Sequence, residues 1–234
     1  MNPFSIYPVG EVLSPFKTKF GLPRQPGIIP SVESKIRLFE EFSDPDYLRG
    51  IENFSHIWIL FIFHHNIASG FKKLVRPPRF GGNKKAGVFA SRSPFRPNFT
   101  GMSAVELVDV EYGRNTVLTV KGADFADRTP VIDIKPYVKY ADCIENSECN
   151  VFDLKPEKSF YVEFSCEAES FLTNNKKLKQ LIEEVLSYDP RPGYYSENSD
   201  HKIFGMEFDT FDIRFEVKGK ILYVKEIVKS LGRS

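Results

Sequence analysis

The sequence predicts a mainly β protein: an antiparallel barrel or sandwich, followed by a smaller α+β unit. Two observations predict this class. Between residues 55 and 138, short runs rich in β-branched and aromatic residues are separated by turn signals. These runs do not alternate with helices, as they would in a parallel α/β sheet. The 234 residues are enough for one large domain with a smaller one attached.

Each predicted strand has its own signal. Residues 55–63, SHIWILFIF, are dense in aromatic and β-branched side chains, which predicts a strand buried on both faces. The turn YGRN at 112–115 separates two alternating apolar runs and predicts a hairpin. Two prolines in 130–138 predict an edge strand or an extended segment. The predicted strands are 55–63, 86–91, 103–112, 115–125 and 130–138.

Helix signals are confined to fewer segments. A helix is predicted over 44–54, capped by Ser43 or Asp44 with Pro45 at its first position. A second helix is predicted near 174–188 and should end before Pro190. Its apolar face is formed by Leu178, Leu181, Ile182 and Val185.

The domain boundaries follow from a change in composition. Residues 141–159 are polar and acidic, which is typical of a linker. Residues 202–228 then alternate apolar and polar side chains across the turn VKGK, which predicts a hairpin. We therefore predict a barrel over 1–142, a linker over 143–159 and an α+β unit over 160–234.

The charge distribution indicates an anionic partner. No carboxylate occurs between Glu52 and Glu106, although the average acid frequency would place about seven there. The same stretch carries Lys72, Lys73, Arg76, Arg79, Lys84, Lys85, Arg92 and Arg96. A solvated basic face is one interpretation. Binding of nucleic acid phosphates is the other.

Common cofactor and hydrolase motifs are missing. GGNKKAG at 81–87 lacks the lysine and hydroxyl of a phosphate-binding loop, and neither G-x-G-x-x-G nor G-x-S-x-G occurs. His64 and His65 follow a predicted strand, where neighbours point to opposite faces, so we expect no metal site. Three cysteines and no long apolar segment predict a cytoplasmic protein without a membrane anchor.

Four long blocks identify a family resemblance. They are SPFKTKFGLPRQPG, RGIENFSHIWILFIFHH, VRPPRFGGNKKAGVFASRSPFRPNFTGMSAVEL and DRTPVIDIKPY. These blocks, together with SYDPRPGYY, resemble the TsaA-like, or TrmO, family of tRNA methyltransferases. The resemblance implies a TsaA-like β-barrel instead of a Rossmann-like methyltransferase fold. It also implies a homodimer that binds S-adenosylmethionine near the subunit contact.

The resemblance also implies a substrate and a cofactor site. The substrate would be tRNA with N6-threonylcarbamoyladenosine at position 37, beside the anticodon, methylated on N6. The family's cofactor contacts correspond here to Arg24, Gln25, Pro26, His64, His65, Arg92, Ala123, Asp133, Ile134, Lys135 and Pro136. Two of them differ from residues common in the family: His65 is often glutamine there, and Ala123 is often leucine.

The loop GVFASRSPFRPN, 87–98, predicts how anions are bound. Its prolines stiffen the chain, and a guanidinium matches carboxylates and phosphates. We expect Arg92 to face the cofactor, and Arg96, Lys84 and Lys85 to face RNA, with no acid nearby to neutralise them.

Catalysis and RNA recognition complete the prediction. Alignment of N6, methyl group and sulfur should supply most of the rate, and Asp133 and His64 are the candidate bases. Arg191, Tyr194 and Tyr195 are expected to contact the anticodon stem-loop. The alternatives are a non-catalytic RNA-binding barrel and a metal-dependent small-molecule hydrolase.

Overall fold

The computed structural model describes residues 4–77, 84–149, 156–191 and 202–230. The chain divides into two compact units. The first is drawn from Met1–Leu13, Gln25–Asp124 and Arg128–Leu154, and the second from Ser14–Arg24, Phe125–Asp127 and Lys155–Ser234. Two short segments of the N-terminal half therefore group with the second unit, although the predicted first domain included them.

The first unit is an antiparallel barrel. Its strands are β1 Gly10–Leu13, β2 Glu33–Leu38, β3 His56–Ile62, β4 Leu74–Val75, β5 Ala86–Gly87, β6 Thr100–Glu111, β7 Val117–Lys121 and β8 Pro130–Pro136. Six of them close in the order β1-β2-β7-β6-β3-β8, with antiparallel neighbours throughout, while β4 and β5 form a separate ribbon. The predicted barrel is confirmed, and the sandwich alternative is not.

Apolar side chains at every second strand position fill the barrel. Ile57 and Ile59 on β3, Ile36 on β2, Leu118 on β7 and Val131 on β8 are fully buried. The alternation arises because successive strand residues point to opposite faces. The second face of β3, with Trp58, Leu60 and Ile62, is only half-buried in a single chain. The predicted burial of both faces of β3 is therefore incomplete.

Two strand predictions are wrong in detail. Residues 86–91 are not one strand: only Ala86–Gly87 pairs, and Val88–Ala90 forms a 3-10 turn. β8 is not an edge strand, because it pairs with β1 on one side and β3 on the other. Pro130 and Pro136 are its first and last residues, where a missing N–H is tolerated.

The helix predicted over 44–54 is shorter than expected. It comprises α1, Pro45–Leu48, and a 3-10 turn over Ile51–Asn53, separated by Gly50 with φ 87°. The Asp44 side chain accepts a hydrogen bond from the Asp46 N–H, so the second of the two predicted caps is correct. A further short helix, α2, spans Lys139–Asp142.

The second unit is an α+β fold. After β9 Tyr161–Phe164 come α3 Cys166–Leu172, α4 Lys176–Ser187, β10 Phe204–Phe208, β11 Phe211–Lys218 and β12 Ile221–Lys229. The sheet order is β10-β11-β12-β9, with β9 parallel to β12. The predicted helix and the hairpin at VKGK are confirmed, and β10 is an additional strand. No helix in the described ranges has the length and apolar character needed to cross a membrane.

Candidate active site at the barrel mouth

The strand directions bring most of the predicted cofactor residues to one end of the barrel. β3 and β7 finish at this end, and β2, β6 and β8 start there. We call this end the barrel mouth. It is formed by residues 25–32, 63–65, 87–99 and 122–124. Loops joining barrel strands are the usual place for a site, because a rigid scaffold positions them.

Arg92 and Gln25 meet at the barrel mouth. The Arg92 Nη1 donates a hydrogen bond of 2.6 Å to Gln25 Oε1, although the two residues are 67 positions apart. Arg92 is exposed and Gln25 is half-buried. Two predicted walls of the cofactor site are therefore joined by a direct contact.

The loop that carries Arg92 is held by its own side chains. Arg96 Nη1 donates to the carbonyl oxygens of Val88 and Ser91, at 3.1 and 2.7 Å, and the Ser91 hydroxyl also donates to Val88. Arg96 was predicted to face RNA. In the structure, its guanidinium donates two hydrogen bonds to the loop itself. A guanidinium has five N–H donors, so others remain for a ligand.

A close backbone approach places Ala123 beside the Gln25–Pro26 loop. The Gly27 N–H donates to the Gly122 carbonyl at 2.8 Å. Gly122 has φ +70°, and a Cβ there would lie 3.5 Å from the Gly27 backbone. Glycine is favoured by both the conformation and the approach. Ala123 itself is 1% exposed, so it offers backbone atoms more than a side chain.

An acid that the sequence analysis missed lies at the barrel mouth. Ser103 Oγ donates a 2.6 Å hydrogen bond to Asp124 Oδ1. Burial raises the pKa of Asp124 to about 6, against the lowering effects of Ser103, its own N–H and the charge of Arg92. The expectation that no acid lies near Arg92 is therefore wrong. The stretch of sequence around Arg92 contains no carboxylate, but the fold brings Asp124 close to it.

His64 and His65 also lie at the barrel mouth, with a geometry that differs from the expected one. They begin a 3-10 turn, His64–Ser69, and their ring centroids are 3.9 Å apart with the ring planes tilted by 37°. These two residues are not in a strand, so the expectation that they point to opposite faces of one is wrong. The Phe63 N–H donates to the Phe99 carbonyl at 2.7 Å, which ties this turn to the end of the 87–99 loop.

Residues 133–136 lie in the barrel wall, away from the mouth. In the β8–β3 pairing, Asp133 is opposite Leu60 and Pro136 is opposite Ile57, towards the start of β3. The Asp133 carboxylate pairs with Lys135 Nζ at 3.0 Å. A single chain therefore does not bring this segment next to Arg92.

The predicted RNA contacts fall in different environments. Lys84 and Lys85 are exposed. Arg191, in the second unit, is only 8% exposed and forms a two-pronged ion pair with Asp189. In the same unit, Arg24 donates to the Arg191 carbonyl at 3.3 Å. Tyr194 and Tyr195 lie outside the described residues.

Cavities and metal-binding side chains do not mark a different site. A cavity of about 320 Å³ is lined by residues of β6 and the Ile51–Asn53 turn, and one of about 470 Å³ by residues near α2. Neither includes a predicted cofactor residue. Within the described ranges, no three His, Cys, Asp or Glu side chains are grouped so that they could hold a metal ion.

Comparison with known proteins identifies the family. The sequence matches the tRNA-methyltransferase O N-terminal domain over residues 11–143 and the TrmO C-terminal domain over residues 157–230. It is 40% identical over 222 residues to the tRNA (adenine(37)-N6)-methyltransferase of Escherichia coli K12, covering 93% of this chain and 94% of that protein. A probable S-adenosyl-L-methionine-binding protein of Methanothermobacter thermautotrophicus is 42% identical over 139 residues, 59% of this chain and 93% of that protein.

A solved structure agrees with these matches. The crystal structure of TrmO from Pseudomonas aeruginosa superposes with a TM-score of 0.80 and 31% identity, over 97% of this chain and 99% of that chain. Both family matches, the relatives and this structure agree along nearly the whole chain. The chain therefore belongs to the tRNA-methyltransferase O family.

Proposed function

We propose that this chain is an enzyme that methylates N6 of adenosine 37 in tRNA, with S-adenosylmethionine as the methyl donor. We further propose that this adenosine carries a threonylcarbamoyl group. The observation that carries the proposal is the meeting of Gln25, Arg92 and Ala123 at the barrel mouth of a chain from this family. These residues come from three separate loops, and their convergence needs the closed barrel.

The side chains at the barrel mouth fit the cofactor. Its methionyl end carries a carboxylate, and the exposed Arg92 at the mouth supplies the opposite charge. Pro26 offers a small apolar edge for the adenosyl part, and the buried Ala123 would contact it through backbone atoms. S-adenosylmethionine supplies a methyl group on a sulfonium sulfur. The role of this chain is to hold N6 in line with that carbon.

The N6 proton must leave during methylation. The attached carbonyl makes this proton more acidic, so only modest base catalysis is needed. Of the two candidate bases, Asp133 is paired with Lys135 in the barrel wall, whereas His64 lies at the mouth. We therefore favour His64. Asp133→Asn should keep the single-turnover rate of the wild type, and a fall of 100-fold or more (about that expected for a lost general base) would return the role to Asp133.

Exposed cations and the C-terminal unit supply the RNA contacts in this proposal. Lys84 and Lys85 are available to phosphates. We assign the predicted C-terminal domain, 160–234, to the anticodon stem-loop. Arg191 forms a partly buried pair with Asp189. Tyr194 and Tyr195, which lie outside the described residues, keep their predicted role of stacking on unpaired bases.

A homodimer is part of the same proposal. The outward face of β3 carries half-buried Trp58, Leu60 and Ile62, and Met102 on neighbouring β6 is 54% exposed. An apolar strand face of this kind is typical of a subunit contact. A second copy packed there would also cover Asp133–Pro136, which belong to the predicted cofactor site.

The cellular location belongs to the proposal as well. Cys143 and Cys166 are free, exposed thiols, as expected in a reducing compartment. Together with a tRNA substrate, they favour the cytoplasm. Fractionation of cells with an antibody to this chain would check it.

The test is methylation of defined tRNAs. The purified chain is incubated with labelled S-adenosylmethionine and tRNA that carries or lacks threonylcarbamoyl at adenosine 37, and nucleosides are analysed by mass. We expect label on N6 only in the modified tRNA. Binding of both ligands without transfer would favour the RNA-binding alternative. Activity that a chelator abolishes on a small substrate would favour the hydrolase.

A further inference from the structure

Asp124 is a carboxylate at the barrel mouth that no predicted contact uses. It follows β7 directly after the turn at Gly122, and Ser103 holds its Oδ1 at 2.6 Å. Ser103 is opposite Ile59, a fully buried residue of β3, so its hydroxyl points into the mouth end of the barrel interior. Asp124 therefore lies between the barrel interior and the loops that carry Gln25 and Arg92.

The charge of Asp124 is only partly compensated. Ser103 and the Asp124 N–H donate to the carboxylate, and Arg92 acts on it through its charge, but burial outweighs all three and raises the pKa to about 6. A carboxylate can accept about four hydrogen bonds. Asp124 therefore has acceptor capacity left and would gain from a further positive group.

Arg92 stands in the complementary situation. It donates one hydrogen bond to Gln25, at 2.6 Å, and within the described residues it has no ion pair with a carboxylate closer than 4 Å. A guanidinium has five N–H donors, so most of its capacity remains for an anion. Arg92 and Asp124 carry opposite charges, lie near each other and both have hydrogen-bonding capacity left. They therefore match a ligand that carries a positive and a negative group at one end.

We propose that Asp124 and Arg92 together bind the amino-acid end of the methyl donor, with Asp124 accepting from the α-ammonium and Arg92 donating to the α-carboxylate. This inference rests on the proposed function and adds a specificity residue to it. Asp124 selects for a zwitterion, because a ligand with a carboxylate alone would meet the negative charge beside Arg92.

The test is calorimetry with two ligands. S-adenosylhomocysteine has the amino-acid end, and 5′-methylthioadenosine has the same adenosine and thioether without it. Asp124→Asn should weaken S-adenosylhomocysteine about tenfold or more, as expected for loss of a hydrogen bond to a charged group. It should change the affinity for methylthioadenosine less than twofold. Asp109→Asn, an exposed carboxylate on β6, is the matched control and should change neither.

Proton release gives a second measure that is independent of methyl transfer. An ammonium beside Asp124 would lower its pKa, so binding near pH 6 should release up to about half a proton, the share that Asp124 holds at that pH. Calorimetry in buffers of different ionisation enthalpy measures it. His64 and His65 are the other titratable side chains of the barrel mouth, and the charge of Arg92 acts on Asp124. The release must therefore disappear in Asp124→Asn to support the assignment.

The outcomes separate this inference from the proposed function. If the wild type does not bind S-adenosylhomocysteine, the proposed function fails. If the wild type binds it and Asp124→Asn binds it equally well, only the role of Asp124 fails. If Asp124→Asn weakened the binding of both ligands equally, Asp124 would have only a structural role, and the inference would be wrong. Unchanged affinities with a collapsed turnover would also overturn it, because Asp124 would then act on the substrate proton.

Discussion

The barrel mouth and the C-terminal sheet differ in how their positive side chains are paired with carboxylates. On the sheet, Arg214 pairs with Asp212 and Glu226, and Lys225 pairs with Glu216. In the loops around the mouth, Lys84, Lys85 and Arg92 have no carboxylate within salt-bridge distance among the described residues. The sheet neutralises its own surface, whereas the mouth keeps cations available for ligands. Charge count alone, near zero for the chain, hides this difference.

Within the C-terminal unit, the ion pair at Arg191 should matter most for stability. Arg191→Ala would leave Asp189 with the Arg191 N–H but without the guanidinium, and would remove the guanidinium from above the Phe160 ring. We expect a loss of about 2–3 kcal/mol in the free energy of unfolding, because Asp189 is only partly exposed and its charge would lose its main partner. Urea unfolding followed by circular dichroism measures it.

The matched control for Arg191 is Arg214→Ala. The Arg214 side chain is 53% exposed, and its two carboxylate partners lie at the surface. We expect a loss of at most about 1 kcal/mol, since exposed ion pairs contribute little. Equal losses in the two variants would contradict the distinction between a structural pair and a surface pair.

The lysines near the mouth should control tRNA binding. Lys84→Ala/Lys85→Ala should lower the slope of log affinity against log salt by about one to two, because each phosphate contact releases a counterion. Fluorescence titration with tRNA at several salt concentrations measures the slope. Arg49→Ala/Arg114→Ala, at the end of the barrel opposite to the mouth, removes the same charge and should leave the slope unchanged. If both double variants lower it equally, the two regions do not differ in RNA contact.

Asp124 should destabilise the folded protein at neutral pH. Its pKa rises from 3.8 to about 6 on folding, so the folded state holds the proton more tightly and stability falls as pH rises from about 4 to 6. Asp124→Asn should therefore be more stable than the wild type by about 2–3 kcal/mol at pH 7, and nearly equal to it at pH 4. Urea unfolding at both pH values measures the difference. A stability gain together with weaker cofactor binding is typical of a functional residue.

A wild type as stable as Asp124→Asn at pH 7 would contradict the buried charge. Asp109→Asn is again the control, because its exposed carboxylate should give no difference that depends on pH. The two variants then distinguish Asp124, a buried charge that we expect to be retained for binding, from Asp109, an exposed charge at the surface.

The fold was largely predictable because local patterns determine it. The alternation in β3, β6 and β7, the turn at 112–115 and the apolar face of α4 all confirm what the sequence indicates. β1 and β2 were missed. β1 has four residues, and β2 carries a buried polar residue, Ser34, where an apolar one would mark the pattern. Both strands form because they pair with neighbouring strands of the barrel, and this pairing cannot be recognised from their own short sequences.

The candidate site was predictable only in part, because its contacts are distant in sequence. The family resemblance is confirmed, and it led to Gln25 and Arg92, which do meet. Asp124 was missed: it lies 21 residues from Ser103 and in a different loop from Arg92. The absence of acids from residues 53–105 gave no indication that Asp124, from another part of the chain, would lie near Arg92 in the folded barrel. The roles of the site residues stay predictions.

The smallest expected effect concerns backbone conformation in the C-terminal sheet. Asp209 joins β10 to β11 with φ 54°, a conformation that costs a non-glycine residue free energy. Asp209→Gly should raise the free energy of unfolding by about 0.5 kcal/mol, since relief of strain exceeds the added entropy of the unfolded chain. The reverse exchange, Gly219→Ala, is the control. Gly219 has φ +59°, and nothing lies within 4 Å of the position that a Cβ would occupy, so a loss of about 1 kcal/mol would come from the backbone alone. Neither change should alter tRNA methylation, because neither turn contains a residue that we assign to the cofactor or to RNA. An altered rate would mean that this side of the sheet takes part in binding.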